Sequence, residues 1–152
     1  MKTALFLVDE KPAQLSMLQE FFSMKCDISV YHGGKIAFRS ALREKPELIL
    51  LDSQISDIDA HELCRLFKEH EALQKTRVVM LYPQTDISRC KQCYEFGADD
   101  YLLKPFFKHE LLVRVRVLLK TPRFLTLPGP VSPFDVDEMG KHAFSSMIPV
   151  MS

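Results

Sequence analysis

Between Ala4 and Lys120, short apolar runs alternate with longer amphipathic stretches, and no other feature of the chain constrains its fold as strongly. The apolar runs are Ala4–Val8, Asp27–Tyr31, Leu48–Leu51, Arg77–Leu81 and Tyr101–Leu103. Runs this short and this apolar suit strands covered on both faces. The intervening stretches carry a helical period. Pro12–Met24 opens with a proline, tolerated in a first turn, and brings Leu15, Leu18 and Phe22 to one side. Gly34–Glu44 carries Ile36, Ala37, Ala41 and Leu42, and Pro46 stops it. Ala60–Glu69 groups Leu63, Leu66 and Phe67. Asp86–Phe96 has Asp86 as its expected N-cap and Gly97 as its stop, and Lys108–Lys120 carries Leu111, Leu112, Val115, Leu118 and Leu119.

A βα unit repeated five times implies an α/β fold with a parallel sheet, right-handed crossovers and helices on both faces. Open sheets of this kind bind ligands at the carboxyl ends of their strands. The residues at those ends are therefore the candidate site. Asp9 and Glu10 follow the first strand, Asp52 the third, Tyr82 the fourth, and Lys104 with Pro105 the fifth. Clustered carboxylates repel one another and invite a hard divalent cation with oxygen ligands, Mg²⁺ above all. A lysine facing them suits a phosphoryl group.

Other chemistries are disfavoured. Val8-Asp9-Glu10-Lys11-Pro12 matches neither the dinucleotide fingerprint nor the P-loop. Lys plus Arg equals Asp plus Glu at 20 each, which argues against direct nucleic-acid binding or attachment to a membrane surface. No run is long enough to span a membrane. Met1–Val8 is too short for a signal peptide, so the four cysteines are expected to be reduced thiols in a cytoplasm. Cys64 falls on an apolar helix face. Cys90 and Cys93 lie on the expected fourth helix, which predicts one half-exposed and one packed thiol. The five histidines show no metal-ligand spacing.

Residues 1–120 form one domain on this reading. Residues 121–152 read as a proline-rich linker or C-terminal arm, with Pro122, Pro128, Pro130 and Pro133 close together and one short helix expected over Asp137–Ser146. The roughly 30 residues after Lys120 are too few for a second domain of ordinary size. The chain is thus either one domain with an arm or a piece ending in a linker.

Three segments, Leu5–Pro12 (LFLVDEKP), Leu48–Asp52 (LILLD) and Gly97–Phe106 (GADDYLLKPF), together resemble the receiver domains of two-component response regulators, from Lys2 to about Lys120. The resemblance implies a flavodoxin-like, doubly wound sheet of order 2-1-3-4-5. It implies that Asp52 accepts a phosphoryl group from a histidine kinase or phosphotransfer protein. Asp9, Glu10, Asp52 and the backbone carbonyl of Gln54 would hold Mg²⁺, and Lys104, before a peptide bond that is usually cis, would pair with phosphoryl oxygens. Tyr101 corresponds to the aromatic that changes rotamer on activation. Such a protein signals through contacts rather than metabolic catalysis. By the same resemblance its output face is the fourth helix, fifth strand and fifth helix, where charge pairs among Asp99, Asp100, Glu110, Arg114 and Arg116 are expected to join a symmetric homodimer.

The chain departs from the family pattern at three places. Tyr82 stands where a small hydroxyl, Thr or Ser, is usual, and Pro83 follows it. Glu10 replaces the commoner Asp. Ser56 and Ala60 stand where Pro and Gly are usual. Loss of one hydrogen bond to a charged group costs about 1.5–3 kcal/mol, as large as a typical coupling of about 1–3 kcal/mol. Tyr82 therefore favours an alternative, a pseudo-receiver that binds partners without phosphorylation. A dehalogenase-type phosphatase would need a second Asp two residues after its nucleophile, and neither Asp52-Ser53-Gln54 nor Asp9-Glu10-Lys11 supplies one.

Overall fold

A computed structural model describes residues 2–120, so the expected arm and the helix over Asp137–Ser146 lie outside the described residues. Five strands, β1 (Thr3–Val8), β2 (Cys26–Tyr31), β3 (Leu48–Asp52), β4 (Arg77–Pro83) and β5 (Asp100–Lys104), form one parallel sheet of order β2-β1-β3-β4-β5. The helices are α1 (Pro12–Phe22), α2 (Gly34–Glu44), α3 (Ala60–Glu69), α4 (Ile87–Cys90) and α5 (Lys108–Lys120). Fold class and strand order are those expected.

The strands are apolar throughout because both faces of the sheet are covered. One face sends Phe6, Val8, Ile49, Leu51, Val78 and Met80 against Ala37 and Ala41 of α2 and Leu63, Cys64 and Phe67 of α3. The other sends Leu5, Leu7, Leu48, Leu50, Val79, Leu81 and Leu102 against Leu15, Leu18 and Phe22 of α1 and Leu111, Val115 and Leu118 of α5. Leu5, Leu7, Ile49, Leu51, Val79 and Leu81 are all buried, as the periodicity requires. Ile36, Leu66 and Leu119, named among the apolar residues of their helices, are instead exposed.

The fourth helix differs most from expectation. Asp86–Phe96 is not one α-helix: a 3-10 turn (Gln84–Asp86) precedes the single α-turn of α4, and a 3-10 helix (Lys91–Phe96) follows it. Asp86 makes no side-chain capping bond. Burial explains the change. Cys90 and Cys93 are both fully buried and Phe96 partly so, a spacing of three that fits three residues per turn better than 3.6. Neither thiol is half-exposed as expected. Gly97 does end the segment, at φ 94°, where a side chain would be strained.

Candidate functional site

The alternation that builds the core also sorts the site residues. Asp9 extends the series Leu5 and Leu7, and its N–H continues the ladder by donating to the Tyr31 carbonyl at 3.0 Å. Asp52 extends Leu48 and Leu50, and Lys104 extends Leu102. Period two therefore directs these three toward the α1–α5 side at the carboxyl rim. Tyr82, after Val78 and Met80, belongs to the opposite face together with Tyr101.

Lys104 reaches Asp52 directly, its Nζ 2.6 Å from Oδ1, and the Lys104–Pro105 peptide is cis. The carboxylate of Asp52 is only 1% exposed, and its Oδ2 is buried without a hydrogen-bond partner. Such an oxygen is costly to bury unless a cation or a reacting group meets it. Asp9 is also buried. Its Oδ1 accepts from the Lys11 N–H at 2.9 Å, and its Oδ2 accepts from the Gln14 amide. Burial holds its carboxyl above the ordinary range, and the charge of Asp52 adds to that effect.

Glu10 is oriented differently. Its Oε2 accepts both the N–H and the hydroxyl of Ser56, each at 2.7 Å, and these bonds lower its pKa. Among the described residues no three acidic, histidine or cysteine side chains stand together in a metal-holding group. Asp9 and Asp52 nevertheless offer an all-oxygen donor set with one open, buried oxygen, which fits Mg²⁺. Gln54 lies on the same rim, its side-chain carbonyl bonded to the Lys11 ammonium.

Tyr82 is wholly buried. Its hydroxyl lies 2.5 Å from His61 Nε2, and its ring meets Tyr101 edge-on at 6.2 Å between centroids. The second nitrogen of His61, Nδ1, faces the Arg89 guanidinium at 3.4 Å. Arginine can only donate, so Nδ1 accepts, and Nε2–H donates to the Tyr82 oxygen. Burial and Arg89 both hold the imidazole below its usual pKa, against the opposing charges of Asp59, Asp86 and Glu95. The His61 ring stacks on Phe96 at 4.8 Å. Sequence reasoning passed over His61. Its one available signal was its place three residues before Cys64, on the buried side of α3.

The charges expected to join two copies are engaged within one. Asp99 accepts from the Val78 N–H at 2.8 Å and from Lys68 at 2.6 Å. Asp100 receives both of its bonds to Arg114 from Nη1, at 2.8 and 2.9 Å. Asp99 and Asp100 are buried at the start of the edge strand β5, so neither they nor Arg114 form an exposed dimer pair. Arg116 is exposed.

A profile of the response regulator receiver domain matches residues 5–116. The chain belongs to that family. This receiver is 34% identical over 128 residues to the transcriptional regulatory protein GltR of Pseudomonas aeruginosa, covering 83% of this chain and 52% of that protein. It thus spans about half the length of the curated relatives it matches. Among solved structures it is similar to a response regulator from Chloroflexus aurantiacus (28% identity, TM-score 0.75, 80% of this chain and 100% of the other). It is also similar to the beryllofluoride-activated DrrB receiver domain (27% identity, TM-score 0.71, 80% and 100%). No described helix is long and apolar enough to cross a membrane.

Proposed function

We propose that this receiver accepts a phosphoryl group on Asp52 from a histidine kinase or phosphotransfer protein and signals through protein contacts. The observation that carries the proposal is the buried Asp52 carboxylate, one oxygen held by Lys104 and the other unsatisfied. The Asp52 carboxylate is the nucleophile: a lone pair of one of its oxygens attacks phosphorus and the donor's leaving group departs opposite. Lys104 fixes the carboxylate in orientation and then stands beside the transferred oxygens, whose charge its ammonium offsets. Mg²⁺ held by Asp9, Asp52, the Gln54 carbonyl and Glu10 would supply the remaining positive charge. Gln14 and the Lys11 N–H keep Asp9 in place for that role.

A second reading, a pseudo-receiver independent of phosphate, is favoured by one observation: the Tyr82 hydroxyl is bonded to His61 inside the core. On either reading the face of α4, β5 and α5 is the surface offered to a partner or a second copy. Fluorine NMR of beryllofluoride with Mg²⁺ separates the readings. Bound resonances in wild type that vanish in Asp52→Asn support acceptance. No bound resonance in wild type supports the pseudo-receiver.

A further inference from the structure

The loop between β3 and α3 is fastened at two points. On one side Asp57 accepts the N–H groups of Gly34 at 2.8 Å and Lys35 at 3.0 Å, which ties the loop to the start of α2. The approach there is tight, for a Cβ on Gly34 would stand 2.6 Å from Ile58 Cγ2 and 2.8 Å from Ile55 Cδ1. On the other side, one residue earlier, Ser56 gives both of its donors to a single oxygen of Glu10. Lys11, next to Glu10, bonds the Gln54 side chain of the same loop. Glu10 is the one acid of the proposed metal set that is turned toward this loop. No three-acid group that could hold a metal stands among the described residues, and the buried Oδ2 of Asp52 has no partner.

We propose that Ser56 is a latch on Glu10, so that loading a divalent cation and releasing the 54–56 segment from Glu10 are one coupled event. The inference rests on the metal site proposed above. A carboxylate oxygen that already accepts two short charge-assisted bonds must give them up, or share them, before it serves a cation. Ser56 therefore sets how tightly the cation binds, and the cation sets how firmly the loop is held. The consequence reaches α3, because Asp59, three residues after Ser56, caps that helix by accepting the Glu62 N–H at 3.0 Å. Cation occupancy is thus read by the loop before any phosphoryl group arrives.

The test is calorimetric titration of the full chain with MgCl₂, in wild type, Ser56→Ala and Ser56→Pro, with amide exchange of residues 53–59 followed in parallel. Ser56→Ala removes one donor and Ser56→Pro removes both. Mg²⁺ should bind severalfold tighter to Ser56→Ala, and Mg²⁺ should speed exchange at Ser56 in wild type. Tighter binding still is expected of Ser56→Pro where circular dichroism shows it folded; Ser56→Ala decides the matter alone where it is not. Wild-type binding with unchanged affinity in Ser56→Ala and unchanged exchange overturns the latch and leaves the metal site standing. No Mg²⁺ binding by any of the three proteins overturns the metal site, and the latch with it.

Discussion

The Tyr82 hydroxyl lies 2.5 Å from His61 Nε2 in the interior, near the carboxyl end of β4. Strand parity explains the orientation. Tyr82 continues the series Val78 and Met80 on the α2–α3 face, and its ring is fully buried in that core. The ring also fills space beside Tyr101, which is itself buried. Tyr82→Phe should cost about 1–3 kcal/mol, because it leaves the His61 N–H buried without an acceptor. Urea denaturation measures the loss, and a double-mutant cycle with His61→Gln should show coupling between the two sites.

Tyr82→Thr should act in two opposed ways. It empties a large buried volume, so stability should fall by about 3–5 kcal/mol. It also frees space for Tyr101 and places a small hydroxyl near the carboxyl end of β4, so the conformational response to beryllofluoride should increase. Amide exchange across α4 and β5, with and without beryllofluoride, checks this. An equally full response in wild type would show that Tyr82 is no obstacle.

His61 should make folding weaker in mild acid. Its pKa in the folded protein is depressed, chiefly by burial and then by Arg89. As pH falls below 6.5, the unfolded chain takes up a proton that the folded protein refuses, so the stability present above 6.5 declines until the folded-state value is passed. The difference in urea midpoint between wild type and His61→Gln should therefore change as pH falls below 6.5. A constant difference would mean that His61 titrates alike in both states.

Lys104→Met should destabilise the metal-free protein by about 3 kcal/mol, because it strands a buried carboxylate. Mg²⁺ should recover part of that loss, since a cation that binds only the folded state stabilises it by mass action. Thermal melts with EDTA or MgCl₂ test both statements. Asp9→Asn, by contrast, should raise the melting temperature of the metal-free protein near neutral pH, where the charge of buried Asp9 is unfavourable.

Arg114→Glu should lower stability by about 3 kcal/mol, since it leaves Asp100 buried without its guanidinium. Arg116→Glu, on the exposed face, should change stability by less than about 0.5 kcal/mol. Arg116 is thus the residue with which to probe a salt-sensitive dimer by sedimentation, because its substitution does not also disturb the fold.

The sheet was legible because its code is local: five apolar runs, each followed by a helical period, leave few arrangements. The rim residues Asp9, Asp52 and Lys104 were legible for the same reason, since position at a strand end locates a side chain whatever its neighbours do. What escaped depends on pairs far apart in sequence. Ser56 meets Glu10 across 46 residues, His61 meets Tyr82 across 21, and Arg114 meets Asp100 across 14. No period marks such partners. The charges of Asp99 and Asp100 looked exposed because Asp and Gly surround turns, whereas here Asp99 caps the Val78 N–H inside the sheet. The fourth helix was misjudged because a spacing of three between Cys90, Cys93 and Phe96 reads as either helical period until burial chooses between them.

Phosphoryl transfer to Asp52 is tested most directly by exposing the full chain to a small phosphodonor with Mg²⁺, then taking its intact mass and mapping the modified residue. One phosphoryl group should appear on Asp52, be absent with EDTA, and be absent from Asp52→Asn. A wild-type chain that never gains the group, or an Asp52→Asn chain that gains it equally, would contradict the assignment of Asp52 as the acceptor.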